Sequence, residues 1–227
     1  MANAMMKALV CEGLAQDFSR VVLHDLPIPE PGPGEVRVKI EAASLNFPDL
    51  LMLKGEYQFK PEPPFILGMD LAGVVDAVGQ GVRLGLDARV AGGAKTGAFA
   101  SYAICPETNL HGIPDNMPAP LAAAYPAAYV TAHVSLIVRG HLQARETLLV
   151  HGASGGVGMA AMDVGRLLGA RVIATTGSPE KREALSRAGA DEVIVLGHTP
   201  GNAFREEVKA LTGGRGADVI FDPVGGD

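Results

Sequence analysis

Apolar and polar side chains alternate with period two early in the chain, and past its midpoint they switch to blocks of strand and helix character. Residues 35–41 read polar-apolar-polar through Val36, Val38 and Ile40, as a half-buried strand requires. Residues 71–79, 88–91 and 99–104 carry similar short runs, punctuated by Gly and Pro. Residues 26–34 include Pro27, Pro29, Pro31 and Pro33, which remove amide donors and fix φ, so this segment is expected to be a rigid loop. The pattern predicts a small, irregular β-rich domain over residues 1–120.

After Pro120 the texture changes. Residues 121–141 are rich in Ala and are expected to be helical, broken near Pro126 and ended around Gly140. Strands are predicted at 147–150, 171–176, 193–196 and 218–222. Helices are predicted between them, at 157–168, 179–188 and 203–211. In the first of these, Val157, Ala160, Ala161, Val164 and Leu168 share one face. Alternation of this kind implies right-handed crossovers and a parallel, doubly wound α/β sheet over residues 121–227.

Between the first of these strands and its helix lies the turn 151–158, with Gly152, Gly155 and Gly158 at three-residue spacing. A helix N-terminus presents free amides and the positive end of its dipole, an anion site in outline. The backbone of Ser154, Gly155, Gly156 and Val157 is expected to hold a dinucleotide pyrophosphate there. Ala153 stands where a strict G-x-G-x-x-G has its first glycine. Two other readings stay open. Gly152, Ser154 and Gly156 also spell G-x-S-x-G, a hydrolase nucleophile elbow, with His198 as the only histidine downstream. Alternatively, the glycines do no more than pack a helix on a strand.

The second strand of this sheet ends in Thr175, Thr176, Gly177 and Ser178, with no carboxylate to bind a ribose 2′-hydroxyl. Thr176, Ser178, Lys181 and Arg182 are instead suited to a 2′-phosphate, which favours NADP(H) over NAD. Glu180 and Glu183 are the competing partners for those cations.

Composition narrows the classes further. A net charge of −6 without a dense basic run argues against a nucleic-acid partner. Cys11 and Cys105 are far apart and form neither a disulfide framework nor a metal-ligand spacing. The six histidines are scattered. No metal is expected. No leader peptide is read at the N-terminus, and no stretch of the ~20 apolar residues that a membrane span needs is recognised. The expectation is a cytoplasmic protein with no membrane partner.

Residues 42–49, 64–73, 129–133, the glycine turn and residues 221–226 together resemble the medium-chain dehydrogenase/reductase superfamily, in its zinc-free quinone oxidoreductase-like branch. The resemblance implies a GroES-like domain followed by a Rossmann domain, here with about four of six strands. It implies zinc-independent hydride transfer from NADPH to a small electrophile, a quinone or an α,β-unsaturated carbonyl. Asn46 and Met69 stand where zinc-dependent relatives carry a ligand cysteine and histidine. Correspondence with the family puts Asn46 and Thr131 at the nicotinamide end of the cofactor. Asn46 as a turn residue and Thr131 bonded to its own helix are the plainer alternatives. Tyr57 is similar in position to the proton-donating tyrosine of related 2-enoyl thioester reductases, and Leu51 replaces a second aromatic residue of quinone-reducing relatives. Full members continue beyond the fourth strand, so a truncated chain is expected, with a homodimer for the full-length form. A truncated, non-catalytic nucleotide-binding or structural protein is the other function considered.

Overall fold

The computed structural model describes residues 4–196 and 201–225, with backbone alone at 201–203. Two compact units divide the chain, Met1–Pro126 and Ala127–Asp227.

The first unit is antiparallel. Strand β1 (Met5–Cys11) pairs with β2 (Val21–Pro27), which follows it, and β1 also pairs with the short β4 (Phe65–Ile66). A second sheet holds β3 (Glu35–Ser44), β5 (Asp70–Val78), β6 (Arg89–Gly93), β7 (Tyr102–Pro106) and β8 (Leu110–Gly112), in the order β7-β3-β5-β6-β8. Period-two alternation turns Val36 and Val38 of β3 inward, where they pack with Leu71, Val75 and Val90. The proline-rich segment is anchored rather than free-standing. Arg37 on β3 donates to the Pro29 carbonyl at 3.0 Å and to Asp76 on the neighbouring strand at 2.7 Å.

Two local differences from the sequence expectation have physical causes. Leu26 and Pro27 belong to β2, not to the loop. Pro27 faces Met5 at the end of an edge strand, where its missing N–H costs little. A short helix, α1 (Phe47–Lys54), follows β3 and was not expected. Its start signals are Asn46 at the N-cap, Pro48 in the first turn and Asp49 at the third position. Gly55 closes it in the left-handed region, at φ 71°. The fully buried Met52 and Leu53 anchor it, each worth ~1.5–3 kcal/mol relative to exposure.

The expected break at Pro126 does not occur. Helix α2 runs from Ala119 to His133 with Pro126 inside it, and continues as a π-helical stretch, Val134–Arg139, up to Gly140. Packing outweighs the proline's lost hydrogen bond. Ala122 and Ala123 are buried in the first unit, and Ala132 and Leu136 in the second. By length and composition, Ala119–Arg139 would be long and apolar enough to cross a membrane, whereas the sequence reading had residues 121–141 as helix and recognised no stretch of that apolar length.

In the second unit, β9 (Thr147–Val150), α3 (Gly156–Leu167), β10 (Arg171–Thr176), α4 (Arg182–Arg187), β11 (Glu192–Val195), α5 (Gly201–Leu211) and β12 (Val219–Phe221) follow in order. The strands form a parallel sheet, β11-β10-β9-β12. All four residues of β9 are buried, as a strand covered on both faces requires. Leu148, Val150, Val172 and Ala174 meet α3 and α4 through Ala160, Ala161, Val164 and Leu185. The alternate residues Leu149, Ile173 and Ile194 meet Val208 of α5 on the opposite face. Helices therefore cover both faces of this four-stranded sheet, as in a doubly wound fold.

Both cysteines lie in the first unit's core, with no exposed surface. Burial raises the Cys11 thiol above its ordinary value and pushes Cys105 up to about 12. Native protein at mildly alkaline pH should therefore leave a disulfide reagent such as DTNB unconsumed, and denatured protein should consume it at both thiols. Rapid consumption by the native chain would contradict this packing.

Candidate functional site

Strand β9 leads straight into the glycine turn. Gly152 adopts φ +57°, and a Cβ there would stand 2.6 Å from Val224 Cγ2. The Ala153 amide donates back to the Thr175 carbonyl at 3.0 Å, and the Gly155 amide to Gly152 at 3.0 Å, so the turn is folded tightly on itself. Gly155 is the N-cap of α3 and no side chain caps the helix. The first amides of the helix, at Gly156 and Val157, thus have neither an intrahelical acceptor nor a side-chain one.

The three spaced glycines do different work. At Gly158 a Cβ would meet the Gly152 carbonyl oxygen at 2.4 Å and Ala153 Cα at 2.7 Å. At Gly155 it would have an ordinary 3.4 Å contact, and at the intervening Gly156 nothing lies within 4 Å. Gly158 therefore serves helix-to-turn packing, whereas Gly155 and Gly156 are both exposed and leave the start of α3 open. That is the shape an anionic group needs.

Ser154 lacks the geometry of a nucleophile elbow. The left-handed residue of the turn is Gly152 rather than Ser154. The nearby His151 turns its Nδ1 to the Thr175 hydroxyl at 3.2 Å and tilts its ring against Phe204, centroid to centroid 5.3 Å. His198, which that reading also needed, lies outside the described residues.

At the end of β10, Thr176 is buried and its hydroxyl accepts the Ser178 amide at 3.2 Å. Its side chain thus shapes the bend, leaving Ser178, Lys181 and Arg182 as the polar groups facing outward. Pro179–Lys181 forms one 3-10 turn before α4, so the expected helix 179–188 begins as a tighter turn. Glu183 lies 3.9 Å from Arg187, one helical turn on, and not beside the cations that precede it. Neither Lys181 nor Arg182 has an ion-pair partner among the described residues. Thr131, exposed on α2, donates its hydroxyl to the Ala127 carbonyl at 2.6 Å and keeps its oxygen as an acceptor.

In the first unit, Asn46 and Tyr57 flank opposite ends of α1. Tyr57 is half-buried beyond the Gly55 cap, and its phenol oxygen is 3.5 Å from Gln58 Nε2. Lys95 sits over the Phe59 ring at 4.8 Å. Asn46 heads a buried polar cluster that the sequence reading missed. Its Nδ2 donates to Ser44 Oγ and to Asp70 Oδ2, each at 3.0 Å, and its backbone amide donates to Asp49 Oδ2 at 2.8 Å. Asp49 and Asp70 are only 2% and 7% exposed. The Asp49 Oδ1 atom has no hydrogen-bond partner among the described residues. Burial first, and then the Asp70 charge, raise the Asp49 carboxyl to about 6 against the Asn46 amide that favours ionisation. Both aspartates belong to stretches that stood out in the sequence, but their meeting across two strands has no local signal. A groove of about 750 Å³ elsewhere in this unit, lined by Lys7, Asp25, Lys39, Phe99 and Tyr102, includes none of the site residues.

No group of three or more His, Cys, Asp or Glu that would suit a metal ion occurs among the described residues. At the zinc-ligand positions of metal-dependent relatives, the Asn46 carboxamide is already committed to Asp70 and Ser44.

Comparison with known proteins follows the two units. A model described as alcohol dehydrogenase GroES-like domain matches residues 32–115, and one described as zinc-binding dehydrogenase matches residues 156–227. The mouse (Mus musculus) quinone oxidoreductase-like protein 2 is 36% identical over 97% of this chain, which spans 62% of that protein. Phthioceranic/hydroxyphthioceranic acid synthase of Mycobacterium tuberculosis is 35% identical over 94% of the chain, which spans 10% of that much longer protein. A quinone oxidoreductase from Thermus thermophilus, also crystallised with NADPH, superposes with a TM-score of 0.84 at 33% identity, over 97% of this chain and 67% of that one.

Because the Asp49 carboxyl is raised, the folded state holds its proton more tightly than the unfolded chain does. Its contribution to stability is full below 3.8 and is lost as pH rises through about 6. Asp49→Asn keeps an oxygen for the Asn46 amide and removes the charge. The variant should gain on the wild type across that window and level off on the order of 2–3 kcal/mol ahead at neutral pH. Urea unfolding of both proteins as a function of pH checks this; stability curves that stay parallel would reject it.

Proposed function

This chain belongs to the quinone oxidoreductase-like branch of the medium-chain dehydrogenase/reductase superfamily, and from that premise we propose that it binds NADPH at the turn 151–158 and delivers hydride to a quinone or an α,β-unsaturated carbonyl. The observation that carries the proposal is the uncapped start of α3 beneath the open space at Gly155 and Gly156. The amides of Ser154, Gly156 and Val157 would hold the pyrophosphate, while Gly155, whose own amide is held by the Gly152 carbonyl, gives it room to approach. Ser178, Lys181 and Arg182 would hold the 2′-phosphate, and the absence of an acidic residue at that strand end removes the repulsion an NAD-type site would impose.

Bound NADPH supplies a hydride from its nicotinamide ring, chemistry that side chains alone do not provide. What this chain's residues contribute is orientation and proton handling. Thr131 keeps an acceptor lone pair while its proton stays with Ala127. The Tyr57 hydroxyl, half-buried and at a long 3.5 Å from Gln58 Nε2, would give its proton to the α-carbon of an acceptor whose β-carbon has gained hydride. The likeness to a solved enoyl reductase, at 25% identity and a TM-score of 0.87, supports acceptors with a conjugated double bond beside quinones.

Gly156→Ala is the sharpest test, because the free chain has room for the methyl group. The variant should fold as the wild type does and lose on the order of tenfold or more in NADPH affinity, whereas Gly158→Ala should lose stability first. Wild-type NADPH affinity in the Gly156→Ala variant would remove the phosphate cradle from this turn.

Lys181→Ala should weaken NADPH on the order of tenfold and leave NADH unchanged, the effect shrinking as salt is raised, since the cation is exposed. Equal losses for both cofactors would reject the 2′-phosphate assignment. NADPH consumption in the presence of a quinone or an enoyl thioester tests the reaction itself. Binding without turnover on either acceptor would make the chain a nucleotide-binding protein.

A further inference from the structure

We propose that Asp222 is a positioning residue: its carboxylate folds the turn after β12 so that Val224 bears on Gly152 and holds the glycine turn in its phosphate-binding shape. This role rests on the NADPH-binding reading of that turn and deepens it. Every group involved belongs to the second unit. It also gives a function to the stretch 221–226, which stood out in the sequence and which the cofactor site by itself leaves unexplained.

Strands β9 and β12 run side by side. The His151 amide donates to the Phe221 carbonyl at 2.9 Å, which carries the pairing to the point where both segments turn. From there one segment enters the glycine turn and the other enters residues 222–225. Asp222 Oδ1 accepts the Val224 amide at 3.0 Å and the Gly225 amide at 3.1 Å. Pro223, between them, has its φ fixed by its ring. The Gly225 and Val224 amides hold the Asp222 carboxyl below its ordinary value, so at neutral pH it is ionised and acceptor-only. One side chain therefore closes this second turn.

Val224 is 68% exposed, so burial does not fix its position. The turn does. Its Cγ2 fills the side of Gly152 that a side chain would take, 2.6 Å from where a Cβ would stand. Gly152 itself is held at φ +57°. Its carbonyl oxygen accepts the Gly155 amide at 3.0 Å and lies close against Gly158. Rotation of the peptide at Gly152 would break the Gly155 bond and shift the start of α3. Glycines at 152, 155, 156 and 158 would otherwise leave the turn many alternative shapes. On the β10 side the Ala153 amide is bonded to the Thr175 carbonyl, and on the β12 side Val224 supplies the opposing support. A shape set before the ligand arrives lowers the cost of binding it.

The test uses the full chain with Asp222→Ala, Asp222→Asn, Val224→Ala and the double variant Asp222→Ala with Val224→Ala. NADPH affinity is read by cofactor fluorescence. Hydrogen exchange of the Gly155 amide is read by NMR of protein labelled with ¹⁵N-glycine, its signal identified by its loss in Gly155→Ala. Asp222→Ala and Val224→Ala should each speed exchange at Gly155 and weaken NADPH roughly three- to tenfold. Asp222→Asn keeps an oxygen for both amides and should stay within about twofold of the wild type. The double variant should be no weaker than the worse single one, since both residues act along one path. Adenosine 2′-monophosphate carries no pyrophosphate, and its affinity should not change in any variant, whereas a general loosening of the unit would weaken it too. Unchanged Gly155 exchange in Asp222→Ala would overturn the role, and so would losses that multiply in the double variant. Asp222→Asn behaving as Asp222→Ala does, or equal losses for adenosine 2′-monophosphate, would overturn it as well. A wild-type chain that binds no NADPH defeats the proposed function and the phosphate-binding part of this role, and exchange at Gly155 then decides alone whether Asp222 and Val224 hold the turn.

Discussion

At Gly158 an added methyl carbon would stand 2.4 Å from a carbonyl oxygen and 2.7 Å from an α-carbon, both main chain. Neither neighbour can rotate away as a side chain would. Because the position carries no side chain, α3 can begin directly against the turn that feeds it, and its start carries no side-chain cap. The same closeness recurs further along the helix, where Gly165 lies over Leu148 so tightly that a Cβ would sit 2.6 Å from its methyl group. The helix is drawn onto the sheet at two points, which fixes the direction of its axis and therefore of its dipole. The open helix start and the apolar packing beneath it follow from that approach.

The first unit solves a different problem. It buries two carboxylates beside the start of a short helix, a costly arrangement unless each oxygen finds a partner. Asp49 Oδ2 accepts the Asn46 backbone amide and Asp70 Oδ2 accepts the Asn46 side-chain nitrogen. Asp49 Oδ1 has no partner among the described residues. Polar groups kept in an otherwise apolar interior at such cost point to specificity more than to stability.

Much of this was legible in the sequence because the signals are local. Alternation through Val36, Val38 and Ile40 marks β3, and Val157, Ala160, Ala161 and Val164 mark the buried face of α3. The four strands of the second unit fall within a residue or two of their expected positions, since strand, turn and helix there follow one another without long-range exceptions. What was hidden is non-local or competitive. Pro126 looked like a helix break, but buried alanines on both sides hold α2 together through it. Helix α1 is too short for periodicity to reveal, although Asn46, Pro48 and Asp49 were visible as start signals. The site residues divided in the same way. The glycine turn announced itself, whereas Thr176 proved to be buried, and Asp70 reaches Asn46 only because β3 and β5 run side by side.

The carboxylate pair also bears on how position 46 can age and evolve. Spontaneous deamidation would turn its amide into an acid, setting a third negative charge against Asp70 where an attractive contact had been. A single-base drift to aspartate would have the same effect. The pair therefore acts as a filter in time: it tolerates a neutral donor at this position and penalises the most accessible chemical and genetic replacement for it.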